Sequence, residues 1–199
     1  MSPNSIRRGL TGMATGIVIA IAGQPAMTAP ADPWQWLQNT YWYVPARYLL
    51  ALASNPTLKS PIPVSDQTVY HIVQFAGGYF WGPTAVSYTR LAGSTAAAPA
   101  CLQLVGSVTP EGKLHLTFTR LPSGTGGGSS GSPPTVGVGT MTPQQGAWTM
   151  ENQMSTTAGN NLLLTHWAYM YECKPAAPCF AALPGVGVSI PDFLAPCSG

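Results

Sequence analysis

From Trp34 to Cys173 apolar and polar residues alternate in short runs, broken every eight to twelve positions by turn residues. The runs predict strands at Thr40–Val44, Thr68–Phe75, Tyr79–Thr89, Cys101–Val108, Lys113–Arg120, Val136–Thr142, Ala147–Ser155 and Leu162–Glu172. They are rich in Val, Thr, Tyr, Trp and Phe, which suit a pleated, half-buried surface. Turn signals stand between them: Ala76-Gly77-Gly78, Pro110-Glu111-Gly112, Pro143-Gln144-Gln145-Gly146 and Ala158-Gly159-Asn160. Connections this short join antiparallel neighbours, so the expected fold is all-β, an antiparallel meander of about eight strands. Closing it into a barrel removes the exposed edges. One segment reads differently: Ala46–Ala53 (ARYLLALA) predicts a helical turn or two, stopped by Asn55-Pro56.

Two hairpins carry side-chain information. In Lys113–Arg120, Leu114, Leu116 and Phe118 share one face, while Lys113, His115, Thr117 and Thr119 share the other, which puts His115 in solvent. In the last hairpin, a tight turn at Ala158-Gly159 sets Trp148 opposite Tyr169, Met150 opposite Trp167, Asn152 opposite Thr165 and Met154 opposite Leu163. That makes one aromatic and thioether face. The other face then pairs Glu151 with His166, the best acid/base candidate in the chain. A register slip of one residue inverts the assignment.

Composition adds the compartment. Only 7% of the residues are charged, against roughly 25% in an ordinary soluble domain, and 22 Gly and 20 Pro argue against a mainly helical protein. Arg7 and Arg8 precede an apolar stretch, Gly9–Gly23, and then Ala29-Pro30-Ala31, the layout of a secretory signal peptide over residues 1–31. The apolar stretch is shorter than the ~20 residues of a spanning helix, so no stable membrane span is expected after cleavage. Removing residues 1–31 leaves six basic and six acidic residues. That neutrality argues against nucleic acid as a partner, because phosphate affinity comes from clustered Lys and Arg. All four cysteines, Cys101, Cys173, Cys179 and Cys197, lie in the exported part and predict two disulfides. Of three possible pairings, Cys101–Cys173 between strands and Cys179–Cys197 in the tail is the one expected. No C-x-x-C pair supports zinc, and no metal or cofactor is expected. The domain plan is a barrel over 32–173, with a Gly/Ser-rich loop at 121–135, and a Pro- and Cys-bearing tail over 174–199. The loop contains Gly126-x-Gly128-x-x-Gly131, but Pro133-Pro134 and a strand follow it instead of the helix a dinucleotide site needs.

The segment Leu37-Gln-Asn-Thr40-Tyr-Trp42-Tyr43-Val-Pro-Ala-Arg47 resembles the first block of the lipocalins, G-x-W-Y, with Thr40 where that family has Gly. The resemblance covers about ten residues and the strand count. It implies a calycin-like barrel and an extracytoplasmic carrier, periplasmic or secreted, for a hydrophobic small molecule. Trp42, Trp81, Trp148, Met150, Trp167 and Tyr169 are the candidate lining residues, large apolar groups suited to a flat ligand. A fainter comparison, of Gly78-Tyr-Phe-Trp81-Gly82 and His166 with the nitrobindin-type haem barrels, implies a haem site. Two other classes compete: a small-barrel cyclase or isomerase using Glu151 and His166, and an envelope interaction protein that presents an outward aromatic patch and holds no ligand.

Overall fold

The computed structural model describes residues 32–45, 47–57, 59–90, 99–120, 134–158 and 162–197. The signal-peptide reading of 1–31 and most of the Gly/Ser-rich loop fall outside them. Ten strands run in chain order: β1 (Thr40–Tyr43), β2 (Arg47–Ser54), β3 (Lys59–Ile72), β4 (Gln74–Ala76), β5 (Tyr79–Arg90), β6 (Ala100–Val108), β7 (Lys113–Arg120), β8 (Thr135–Gln144), β9 (Ala147–Ala158) and β10 (Leu162–Cys173). Every pairing is antiparallel. Successive strands pair as a meander, and β10 returns to β1 and β2, which closes an eight-position barrel. Two positions are each shared by two strands. β1 and β2 both lie between β3 and β10, interrupted at Val44-Pro45, and β4 continues the line of β3 beyond Val73. At that second interruption the backbone crowds Gly82, whose Cβ would meet the His71 carbonyl, so only glycine fits.

The predicted helical turn at Ala46–Ala53 is corrected to strand β2. Ala and Leu favour helix in isolation, but here Arg47 to Ser54 pair residue for residue with Asp66 to Lys59. Ala51 and Ala53 face the core while Leu50 and Leu52 stand in solvent. The β ladder supplies hydrogen bonds and burial that a two-turn helix lacks, so tertiary pairing overrides propensity. β3 also starts nine residues earlier than its β-rich run suggests. Pro61 and Pro63 obscure it. Both lie where β3 pairs with β2 but not yet with β5, the edge setting in which a strand tolerates proline.

The interior is graded by size. Its base is filled by Trp42, Tyr70, Phe75, Phe80 and Met150, and is plugged by a single 3₁₀ turn, Gln35–Leu37. Trp34 anchors the plug: its Nε1 donates to the Thr109 carbonyl at 2.8 Å, and its ring meets Trp148 edge-on at 5.1 Å. Thr40, which stands where lipocalins carry Gly, is bonded on both sides. Its hydroxyl donates to the Leu37 carbonyl at 2.5 Å and accepts from Trp42 Nε1 at 2.9 Å.

A second core lies outside the barrel. Residues 174–197 carry helices α1 (Pro178–Ala181) and α2 (Ile190–Leu194), and Leu183, Ile190, Phe193 and Leu194 pack over Val69 and Ala85. Ser189 caps α2, accepting from the Asp192 amide at 3.1 Å. Two disulfides hold this strap, but the expected pairing is corrected: Cys173 joins Cys179, and Cys101 joins Cys197. Cys173 on β10 and Cys101 on β6 are separated by β1, β3 and β5. Four steps of ~4.8 Å, about 19 Å along the wall, put them on opposite sides of the barrel, far beyond the ~7 Å a disulfide spans. The tail crosses that gap and is tied at both ends.

Candidate functional site

The residues predicted as one lining divide between the two surfaces of the wall. Trp42 on β1 and Trp148 and Met150 on β9 face inward. Trp81 alternates with the buried Phe80 and Gly82 and so faces outward, half-buried. Trp167 and Tyr169 also face outward, at 54% and 47% exposure. The cause is register. Three residues, 159–161, separate β9 from β10 in place of a tight turn, and Tyr169 pairs with Glu151, an odd displacement from the expected alignment. An odd shift leaves the β9 faces as predicted and turns β10 inside out. Met150 now meets Met170, Asn152 meets Ala168, and Met154 meets His166.

The Glu151–His166 pair is therefore corrected. Glu151 stands on the outer face, and His166 faces the interior. The carboxylate beside His166 is Asp66, which lies two residues before the strand expected at Thr68–Phe75 and is part of β3. Asp66 is on the inner face of β3, 5% exposed. Burial pushes its carboxyl above the ordinary carboxylate range, opposed by the Thr68 hydroxyl, which donates at 2.7 Å, and by the charge of His166. His166 Nδ1 lies 3.2 Å from the Trp167 carbonyl.

Deeper in, Tyr70 reaches across the barrel. Its hydroxyl lies 2.8 Å from Met150 Sδ and 3.1 Å from Met170 Sδ, and burial pushes its ionisation well above the usual phenol value. Asn152 Nδ2 approaches the same Met170 sulfur at 3.7 Å. Among the described residues no group of three or more His, Cys, Asp or Glu could hold a metal ion, and no helix is long and apolar enough to cross a membrane.

An apolar groove lies on the flank. β10 pairs with β2 only as far as Thr165, and with β1 only from Tyr171 onward. Beside the unpaired stretch lies a groove of about 270 Å³, lined by Val44, Pro45, Leu49, Leu50, Trp167, Tyr169 and Tyr171. The interrupted strand makes the groove, because Val44-Pro45 leaves the sheet line between β1 and β2. Trp167 and Tyr169 thus share a groove wall on the outside of the barrel, not an interior lining. The signal that could locate the groove is Pro45, which follows Val44 and ends β1 where β10 continues.

These features define the class: a closed, eight-position antiparallel β-barrel with a disulfide-tied outer strap. Compared with known proteins, the chain matches no family model, and no curated protein or solved structure matches it.

Proposed function

We propose that this is an exported, lipocalin-like binding protein or carrier for a compact hydrophobic molecule, held in the flank groove against Trp167, Tyr169 and Tyr171. The groove is the observation that carries the reading. At about 270 Å³ it approaches the roughly 300 Å³ at which small-molecule sites begin, and its walls are apolar side chains and aromatic rings. A flat molecule of one or two rings suits such walls, gaining area burial and ring stacking together. Export agrees with two disulfides and no free cysteine among the described residues, a pattern of oxidising compartments such as the periplasm or the extracellular space.

Native mass spectrometry of the oxidised chain comes first, because a small molecule lost on denaturation identifies the ligand class directly. Equilibrium dialysis with naphthalene then tests the site. Trp167→Ala should weaken binding at least tenfold, while Trp34→Ala, in the basal plug, should leave it within twofold. Equal effects of the two substitutions defeat the reading.

One observation favours a second reading, an interaction surface. Leu50, Leu52 and Leu163 extend the apolar outer face, at 68%, 48% and 42% exposure. Concentration-dependent self-association abolished by Leu50→Lys would support that reading over a carrier.

A further inference from the structure

The outer wall is uncharged over a broad belt. Strand register lines up Leu52, Thr165, Ser155, Val136, Thr117 and Val105 in one row across β2, β10, β9, β8, β7 and β6. Leu52, Val136 and Val105 are exposed there. One row nearer the base, Trp167, Gln153, Val138 and His115 align in the same way, with Trp167 and Val138 exposed. Neither row contains Asp, Glu, Lys or Arg. Charge returns in the next row, at Glu151 and Lys113. Leu50 and Leu163 extend the exposed apolar face on β2 and β10. A face this continuous is more than scattered surface residues and marks a contact.

The charges are sorted by end. β2, β5, β7 and β9 finish, and β3, β6, β8 and β10 start, at one rim of the barrel. Lys59 is the first residue of β3, Arg90 the last of β5 and Arg120 the last of β7. Lys59 and Arg120 are exposed. Residues 55–58, 91–99, 121–134 and 159–161, which join strands at this end, include no Asp or Glu. The carboxylates of residues 32–199 belong elsewhere: Asp66 inside, Glu151 on the wall, Glu111 and Glu172 towards the base, Asp32 beside the plug and Asp192 in the strap. We propose that the rim end docks on an anionic lipid membrane, with Leu50, Leu52 and Leu163 entering the acyl boundary and Lys59 and Arg120 meeting lipid phosphates. Basic groups beside an apolar face are held at such a surface by burial and charge together. A second copy would offer apolar surface but no opposite charge at its own rim. Depth agrees with this placement. Trp167 stands four residues from Leu163, about 13 Å along the strand, or about 10 Å along the axis at a tilt of about 40°. Leu163 among acyl chains therefore leaves Trp167 at headgroup level, where amphipathic Trp and Tyr rings concentrate. The face shares Leu50 and Trp167 with the flank groove, but the inference does not need the groove to be filled.

The test is flotation of the oxidised full chain with vesicles, either phosphatidylglycerol and phosphatidylcholine in equal parts or phosphatidylcholine alone. At about 0.1 M salt the anionic vesicles should bind at least tenfold more tightly, and about 0.5 M salt should release the chain, because surface attraction is screened. Lys59→Glu/Arg120→Glu and Leu50→Ser/Leu52→Ser should each weaken binding at least tenfold. Both change exposed side chains, so the lipid-free thermal midpoint should stay near that of wild type. Brominated phosphatidylcholine in the vesicles should quench the fluorescence of wild type more than that of Trp167→Phe, a difference that attachment through residues 1–31 would not produce. Equal binding to the two vesicle types, binding indifferent to both double substitutions, or equal quenching in Trp167→Phe overturns the proposal. Retention at the higher salt, the behaviour of a barrel inserted across the bilayer, overturns it too. So does a lipid-free dimer that Leu50→Ser/Leu52→Ser dissociates and that leaves vesicles unbound, which would give this face to a second copy.

Discussion

Asp66 makes stability depend on pH in the direction opposite to a salt-bridged surface carboxylate. Its folded pKa is raised above the 3.8 of a free Asp carboxyl, chiefly by burial. Below that value both folded and unfolded chains hold the proton, and the residue's contribution is fully present. As pH rises through the folded pKa, the native state binds the proton more tightly than the unfolded chain, and stability is lost. Asp66→Asn keeps an acceptor for Thr68 and carries no charge. Its thermal midpoint should exceed that of wild type at pH 7. The difference should vanish below pH 3.8, and a constant offset across the titration would assign Asp66 no such role. Gly139 is a steric counterpart. A Cβ there would collide with the Glu151 carbonyl, which is backbone and held in the β8–β9 ladder. Gly139→Ala should therefore cost about 3 kcal/mol in denaturant unfolding, the upper end of overpacking, while Gly146→Ala, whose Cβ meets nothing but sits at φ +81°, should cost less.

At the scale of elements, partners decide what propensity leaves open. β2 carries a helix-forming composition and is a strand because β3 and β10 offer ladders on both sides. Conversely, Lys113–Arg120 has a clear alternation, and it is a strand with the boundaries and inward face its pattern predicts. The cysteine pairs show the same dependence on neighbours. Cys101–Cys197 closes a separation of 96 residues and Cys173–Cys179 one of 6. On loop-entropy grounds the first stabilises by about 4.7 kcal/mol and the second by about 2 kcal/mol. The Cys101→Ser/Cys197→Ser chain should thus lose at least twice the unfolding free energy lost by Cys173→Ser/Cys179→Ser. The reverse order would mean that the tail is held by packing of Phe193 and Leu194 instead of by its far tether.

Across the whole molecule, the strand count, antiparallel meander and inward faces of β7 and β9 are legible from alternation and turn residues, because these are local properties with a two-residue period. Two disulfides are likewise legible from four cysteines, though not which pairs form. The candidate site was only half legible. Sequence singled out Trp167, Tyr169 and His166, but three connecting residues in place of a tight turn reversed the face of β10 and moved the aromatics outside. Asp66 was missed because its β strand is masked by Pro61 and Pro63, and its partner His166 is 100 residues away in the chain. Local alternation determined that this protein is a β meander. Barrel closure decided where its chemistry lies, because register, the flank groove, the buried Asp66 and the crossing tail all depend on which distant strands meet, and no periodicity within one strand records that.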